Sequence, residues 1–250
     1  SYVQWRFEGG KPLSISYYSS GESSIRSRSQ ASVLGGASTA AQQALAVGTY
    51  EPDFEKDDLW VIIATFSAGW ENYRHEADAL RHYQIFRERG VPDDRIIMMI
   101  PDTMAADPLN LRPGEVYNTP LVEGGTNLYR DVEIDDAGGF SVQEIKNVLL
   151  GIPTDEMPNV LESTESSNVY VYFVGHGGNL GIPVGAEKEE DAFGLTQEQL
   201  LESVLTPEGL RDTVCEMQDK GMYRRLLFVV ETCFSGVMGL GLEEGCENSV

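Results

Sequence analysis

Four short stretches of nearly continuous apolar residues constrain the fold of this chain most strongly. They cover residues 59–66, 95–100, 168–174 and 226–230. Runs of this length without polar alternation are typical of strands that are buried on both faces of a sheet. Because segments with helical character separate the runs, we expect an α/β domain in three layers, with a mainly parallel sheet between helices.

The segments between these runs carry apolar residues at helical spacing. In the first of them, the apolar positions from Ala79 to Phe86 fall on one helical face. Ser141, followed three residues later by Glu144, is typical of a capping box at a helix start. Helices are therefore predicted over residues 76–89, 141–150, 195–205 and 208–220.

The first 57 residues differ in character from the rest of the chain. Residues 2–7 and 13–18 are strand-like and flank a turn that contains Gly and Pro, which predicts a hairpin. Residues 19–36 are rich in Ser and Gly and are typical of a linker, and residues 37–47 favour a short helix. We therefore expect an N-terminal extension over residues 1–57 and one α/β domain over residues 58–250.

The charge and hydropathy of the chain exclude several classes of partner. The formal net charge is −22, from 40 acidic and 18 basic residues. This argues against nucleic acid and anionic membrane surfaces, because phosphate groups are contacted by clustered Lys and Arg. No run of 18 apolar residues is present, so we expect no membrane span. The start has no signal-peptide pattern, while the acidic composition is compatible with an exported bacterial protein, periplasmic or extracellular.

Reactive side chains follow two of the predicted strands. His176 stands in the sequence Gly-His-Gly-Gly after the third apolar run, and Cys233 stands in Glu-Thr-Cys-Phe-Ser-Gly after the fourth. Since functional groups in open α/β sheets lie beyond the carboxyl ends of the strands, both can open into one crevice. An imidazole that takes the thiol proton makes the sulfur a nucleophile. The backbone N–H groups of Gly177 and Cys233 are candidates for an oxyanion hole.

The remaining cysteines and histidines favour structural roles. Cys215 falls in a predicted helix, Cys246 follows the nucleophile, and three cysteines allow at most one disulfide. His82 lies inside the first predicted helix. The histidines lack metal-ligand spacing and no acidic cluster joins them, so the sequence predicts no metal and no cofactor.

Several ordered motifs resemble the legumain-type cysteine peptidases, family C13 of clan CD, which also contains the catalytic subunit of the GPI-anchor transamidase. The resemblance extends over residues 59–240. The motifs are Asn-Tyr-Arg-His-Glu-Ala-Asp at 72–78, Gly-Val-Pro-Asp at 90–93, the run 98–107, the transamidase-like stretch 127–135 and Gly-His-Gly-Gly at 175–178.

The resemblance implies a caspase-like fold and site residues at matching positions. His176 and Cys233 match the catalytic dyad of the family, and Asn72 matches an Asn that lies beside it. Arg74 and Glu231 match a pocket for Asn or Asp at the cleaved bond, in which an Arg and a Glu grip a side-chain amide. His75 would lie at the edge of this pocket.

Two departures from the family pattern affect what can be carried over. Gly175 stands where legumains usually carry Asp before the catalytic His, which puts legumain-like ligase or succinimide behaviour in doubt. The fold also expects about two more strands after the Cys motif, whereas only residues 237–250 follow it here. Three arrangements are open: a second chain produced by processing completes the domain, residues are missing, or residues 2–7 supply a late strand.

Three functions remain in competition at this level. The first is an endopeptidase that cleaves a peptide or protein after Asn or Asp through a thioester. If the chain is cleaved near Val250, this endopeptidase would be a self-processed zymogen with its processing region at 237–250. The second is a transamidase or ligase, in which an amine resolves the same thioester. The third is an inactive caspase-like binding module, against which the intact His176–Cys233 pair argues.

Overall fold

A seven-stranded mixed sheet forms the centre of the structure, a computed structural model that describes residues 2–8, 11–18, 26–28, 58–136, 140–184, 196, 202–240, 242 and 246. The strands are β1 Tyr2–Glu8, β2 Lys11–Tyr18, β3 Arg26–Arg28, β4 Leu59–Thr65, β5 Ile96–Met99, β6 Asn168–Val174, β7 Ile182–Pro183, β8 Val204–Leu205 and β9 Arg225–Glu231. In the main sheet their order is β3-β2-β1-β9-β6-β4-β5, and β7 pairs with β8 separately.

The four strands predicted from the apolar runs are parallel neighbours. β4 lies between β5 and β6, and β6 pairs with β9. All seven residues of β4 and of β6 are buried. Thr65 pairs with Val174, which in turn pairs with Glu231. The carboxyl ends of β4, β6 and β9 therefore lie level with one another at one edge of the sheet.

Helices cover both faces of the sheet, as the sequence predicts. The helices are α1 Tyr73–Glu88, α2 Val142–Leu149 and α3 Pro207–Asp219. Leu80 and Tyr83 of α1 share one buried cluster with sheet residues, and Ile145 of α2 and Val214 of α3 belong to the cluster on the other face. The result is a three-layer α/β fold. No described helix has the length and apolar content that a membrane crossing requires.

Residues near the helix starts explain where α1 and α2 begin. Ser141 N donates to Glu144 Oε2 at 2.6 Å and Glu144 N donates to Ser141 Oγ at 3.2 Å, so the predicted capping box is confirmed. α1 begins at Tyr73, three residues earlier than predicted, because a 3₁₀ turn at Trp70–Asn72 leads directly into it.

The prediction of a helix up to residue 205 is wrong at its end. Val204–Leu205 is the short strand β8, which pairs with Ile182–Pro183. The reason is local, because Thr206 is the N-cap of α3 and Pro207 is its first residue. A proline at that position starts a helix and disfavours helical backbone in the residue before it. Residues 195 and 197–201 of the predicted helix lie outside the described residues.

The predicted N-terminal hairpin forms and joins the sheet. β1 pairs with β2, and its other edge pairs antiparallel with β9, from Val3–Val230 to Glu8–Arg225. Of the three arrangements considered for this edge, the structure has the one in which the N-terminal segment supplies the strand next to β9. The predicted short helix at 37–47 and most of the linker lie outside the described residues. Completion by a second chain and processing within 237–250 stay predictions.

Candidate active site

The segments that carry His176 and Cys233 leave two adjacent parallel strands at the same level. Val174 is paired with Glu231 at the ends of β6 and β9, and Gly175 N donates to Glu231 O at 3.2 Å. His176 and Cys233 each stand two residues beyond this pair. The register of the sheet therefore brings both segments to one edge, as the sequence predicts.

Gly177 holds the two segments in contact. A Cβ atom at this position would overlap the carbonyl oxygen of Cys233 and the side chain of Thr232. No residue larger than Gly fits without moving one segment away from the other. Among the described residues, no hydrogen-bond acceptor pairs with the backbone N–H of Gly177 or of Cys233.

Asn72 fixes the orientation of the His176 ring. Its Nδ2 donates to Ala68 O at 2.7 Å, so its Oδ1 is the atom that faces the ring. His176 Nε2 lies 2.7 Å from this oxygen. Because an amide oxygen can only accept, Nε2 carries the proton and Nδ1 is the basic nitrogen of the neutral ring. Asn72 is the N-cap residue of α1 and is 7% exposed, so its position is set by the fold.

His75 lies beneath His176. Its side chain is 4% exposed, its Nδ1 is 2.5 Å from Ser67 Oγ, and its ring meets the His176 ring edge-on with centroids 5.1 Å apart. Burial, and then the charges of Arg74 and His176, lower the pKa of His75 to about 4. The ring is therefore neutral near pH 7. Through its contacts with Ser67 and His176, His75 can support the His176 ring. A direct contact of His75 with the substrate stays a prediction.

Glu231 and Arg74 both act electrostatically on a third acidic residue, Asp78, that sequence reasoning missed. Half-buried Glu231 accepts a hydrogen bond from Tyr172 Oη at 2.7 Å, and Arg74 is exposed at the start of α1. Burial, followed by the charge of Glu231, raises the pKa of Asp78 to about 6, and the charge of Arg74 opposes this rise. The charges of Glu231 and Arg74 therefore act on Asp78 in opposite directions. The spacing of four residues between Arg74 and Asp78 on one helix was the signal that could have found it.

His82 of α1 contacts Tyr172 and the backbone of Asp78. Its ring stacks on Tyr172 with centroids 3.7 Å apart, and its Nδ1 is 3.0 Å from Asp78 O, to which it donates. Burial lowers the pKa of His82, which keeps the ring neutral at pH 7. These contacts are those of a satisfied, packed histidine.

The three cysteines divide into one free thiol and one disulfide. Cys233 is free and exposed, and Cys215 of α3 is bonded to Cys246. Phe234, the residue after Cys233, has φ of 55° and lies in the left-handed region. Within the described part of the chain, no group of three or more His, Cys, Asp or Glu side chains could hold a metal ion.

Comparison with known proteins places the chain among peptidases and transamidases of one family. The sequence profile of the Peptidase C13 family matches residues 59–247. Legumain from Rattus norvegicus is 34% identical over 202 residues, which cover 78% of this chain and 41% of legumain. Legumain from Homo sapiens matches with the same identity and coverage of this chain.

The transamidase branch matches at a similar level. GPI-anchor transamidase from Saccharomyces cerevisiae is 31% identical over 183 residues, covering 72% of this chain and 40% of the yeast protein. The chain thus spans about two fifths of the length of these relatives. The match over residues 59–247 and the three-layer α/β fold agree, and the chain belongs to the peptidase C13 family.

Proposed function

We propose that this chain carries the catalytic site of a cysteine endopeptidase, with Cys233 as the nucleophile and His176 as the base. The observation that carries the proposal is the arrangement of three segments at one sheet edge. Gly177 holds the His176 segment against Cys233, and Asn72 orients the His176 ring. Cys233 is exposed, so a peptide can reach its sulfur.

The first half of the reaction forms a thioester. His176 Nδ1 takes the thiol proton, and the Cys233 sulfur attacks the carbonyl carbon of the peptide bond. The N–H groups of Gly177 and Cys233 donate to the oxygen that becomes negative, and each such donor contributes about 10²–10³ in rate. The C–N bond then breaks, and His176 gives its proton to the leaving amine.

The second half restores the enzyme. His176 removes a proton from water, the hydroxide oxygen attacks the thioester carbon, and the C–S bond breaks. The products are a peptide with a new carboxyl terminus and the Cys233 thiol, which recovers its proton from His176. The bond from His176 Nε2 to Asn72 supports this role, because it assigns Nε2 as a donor and leaves Nδ1 as the nitrogen that exchanges protons with the thiol and the water.

We further propose that the cleaved bond follows Asn or Asp. The side-chain amide of Asn has one acceptor oxygen and two N–H donors. Arg74 can donate to the oxygen, and the carboxyl groups of Glu231 and Asp78 can accept from the nitrogen. Tyr172 holds Glu231 in place through the bond at 2.7 Å.

A transamidase is the second candidate. The relatives that support it are the GPI-anchor transamidases from Saccharomyces cerevisiae and Bos taurus, which are 31% and 33% identical to this chain. In that reaction an amine, in place of water, attacks the Cys233 thioester. Hydroxylamine, a small amine, therefore separates the two functions, because only a transferase yields the hydroxamate as its main product.

The test uses peptide reporters that differ only in the residue before the cleaved bond, with Asn, Asp, Arg or Lys there. We expect cleavage after Asn and Asp, and none above background with Cys233→Ala. Arg74→Ala should lower kcat/KM for the Asn reporter by about tenfold or more, as expected when a polar partner in a specific pocket is lost. Arg81→Ala is the matched control, since Arg81 lies on the same helix and pairs with Glu88 at the surface.

Each part of the proposal has its own contrary result. Hydrolysis that survives Cys233→Ala excludes Cys233 as the nucleophile. A preference for Arg or Lys excludes the assignment of Arg74 to the pocket while leaving the nucleophile intact. Equal losses in Arg74→Ala and Arg81→Ala would assign the effect to the helix surface in general.

A further inference from the structure

An exposed aromatic side chain follows the nucleophile directly. Phe234 is 57% exposed, and its backbone is in the left-handed region with φ of 55° and ψ of 21°. Its carbonyl oxygen accepts from Val237 N at 2.8 Å, which fixes the turn into the 3₁₀ helix Ser235–Gly239. Gly or Asn would meet this backbone requirement with less strain. The turn itself therefore does not explain a phenylalanine at this position.

Packing does not explain Phe234 either. In the described part of the chain it belongs to neither buried cluster, and no other ring or cation lies against its ring. A large apolar side chain that is strained and half in water costs stability, and such features concentrate at functional sites. Its position one residue after Cys233 places this apolar surface beside the point of attack.

A second exposed apolar side chain stands on the His176 side. Leu180 is 63% exposed and lies in a tight turn closed by bonds between Gly178 and Gly181, at 2.9 and 3.2 Å. A Cβ on Gly181 would overlap the Leu205 carbonyl, so the base of this turn is packed against β8. Because Gly177 touches Cys233, and Leu180 is only three residues further, its Cα lies within about 11 Å of that contact.

We propose that Phe234 and Leu180 are the two walls of an apolar subsite, which selects substrates with a large apolar side chain next to the cleaved bond. This inference rests on the proposed function and deepens it. The occupant is the substrate peptide itself, because the two side chains rise from the two segments that carry the proposed nucleophile and base. Binding removes apolar surface of both partners from water.

The test compares pairs of Asn reporters that differ in one residue beside the cleaved bond, Leu in one and Ser in the other. Both neighbouring positions are tested in turn with the full chain. We expect wild-type kcat/KM to favour Leu by about tenfold at one of the two positions, the usual scale of selection by an apolar pocket. Phe234→Asn should abolish the preference, since Asn accepts the left-handed backbone but removes the ring. Leu180→Ser should reduce it.

Two further variants serve as controls. Phe234→Tyr keeps the ring and should keep the preference. Leu111→Ser removes an apolar side chain that is 97% exposed in a distant part of the sequence, and it should leave the preference unchanged. Equal rates for the Leu and Ser reporters in the wild type, or a preference that survives Phe234→Asn, would overturn the subsite.

A second measurement separates this inference from the proposed function. Peptides with Leu or Ser beside the Asn are tested for how strongly they slow alkylation of Cys233 by iodoacetamide. Stronger protection by the Leu peptide, lost in Phe234→Asn, supports the subsite even in a protein that hydrolyses no reporter. Absence of hydrolysis would then count against the peptidase alone, and equal protection by both peptides would count against the subsite.

Discussion

Asp78 and His75, both on α1, have pKa values that are shifted in opposite directions. Asp78 has a pKa raised from 3.8 to about 6, and the pKa of His75 is lowered from 6.5 to about 4. Burial is the first cause in both cases, because it disfavours the charged form of either group. Asp78 therefore keeps its proton to a higher pH than in the unfolded chain, whereas His75 loses its proton at a lower pH.

These shifts predict opposite contributions to stability between pH 4 and 6.5. The folded state binds more protons than the unfolded state through Asp78, so this contribution falls as pH rises from about 4 to 6. Through His75 the folded state binds fewer protons, so that contribution is present above pH 6.5 and is lost as pH falls towards 4. The two partly cancel in the wild-type protein.

Replacing Asp78 by Asn removes the contribution of Asp78 to the pH dependence of stability and leaves that of His75. Asn carries no proton to lose and can still accept from Asn118 Nδ2, as Asp78 does. We expect the melting temperature of Asp78→Asn, relative to wild type, to rise from pH 4 to pH 6 and then to level off. Thermal unfolding across this range measures the difference, with Asp94→Asn, an exposed change within the 3₁₀ turn Asp93–Arg95, as control. A difference that stays constant with pH would contradict the assignment.

At the scale of elements, β1 is the feature that completes the sheet edge beside the nucleophile strand. Trp5 and Phe7 alternate onto the core side and are 0% and 1% exposed. A Cβ on Gly239, at the end of the 3₁₀ helix after Cys233, would overlap the Trp5 indole. β1 therefore supports both β9 and the turn that follows it.

This contact predicts a non-additive pair of substitutions. Trp5→Ala should lower the free energy of unfolding by about 3–5 kcal/mol through loss of a buried ring. Gly239→Ala should also destabilise the protein, because its new methyl group meets Trp5. In the double variant the vacated space accepts that methyl group, so Gly239→Ala should cost little once Trp5 is Ala. Urea unfolding of the four proteins gives the coupling energy.

A neighbouring residue of β1 provides the control. Gln4 points to the other face of the strand and is half-buried, so Gln4→Ala should change stability little and show no coupling to Gly239→Ala. Additive costs for Trp5 and Gly239 would show that β1 does not pack on the turn after Cys233.

At the scale of the whole molecule, the disulfide closes a long loop around the site. Cys215 and Cys246 are 31 positions apart, and the loop between them contains β9 and Cys233. In the chain-entropy account, a loop of this length stabilises the folded state by about 4 kcal/mol. The bond thus ties the segment after the nucleophile to the buried side of α3.

Substitution of the paired cysteines should show this contribution. We expect Cys215→Ser and Cys246→Ser to lower the free energy of unfolding by about 4 kcal/mol each and by a similar amount together, since either change opens the same loop. Cys233→Ser, at an exposed free thiol, should leave stability nearly unchanged. Losses that add in the double variant would argue against a bond between the two residues.

Features that depend on residues close together in the chain could be predicted from the amino-acid sequence. The apolar runs identified β4, β5 and β6, because burial on both faces leaves no polar position in a strand. They also identified β9, although its residues alternate between buried and half-buried, so the expected burial on both faces is wrong for this strand. Ser141 and Glu144 marked the start of α2, since a cap depends on residues three positions apart. His176 and Cys233 could be predicted to lie near one another, because they follow β6 and β9 and the carboxyl ends of parallel strands meet at one sheet edge.

Contacts between residues far apart in the chain became known from the folded structure alone. The alternation of Trp5 and Phe7 predicted a strand but not β9 as its partner, because backbone hydrogen bonds are the same for every sequence. The same holds for the bond between Tyr172 and Glu231 and for the disulfide between Cys215 and Cys246. Asn72 could be placed beside His176 through the family resemblance, but the bond that fixes the ring depends on Ala68 and the turn before α1. Such contacts follow from packing of the whole chain, which local pattern cannot specify.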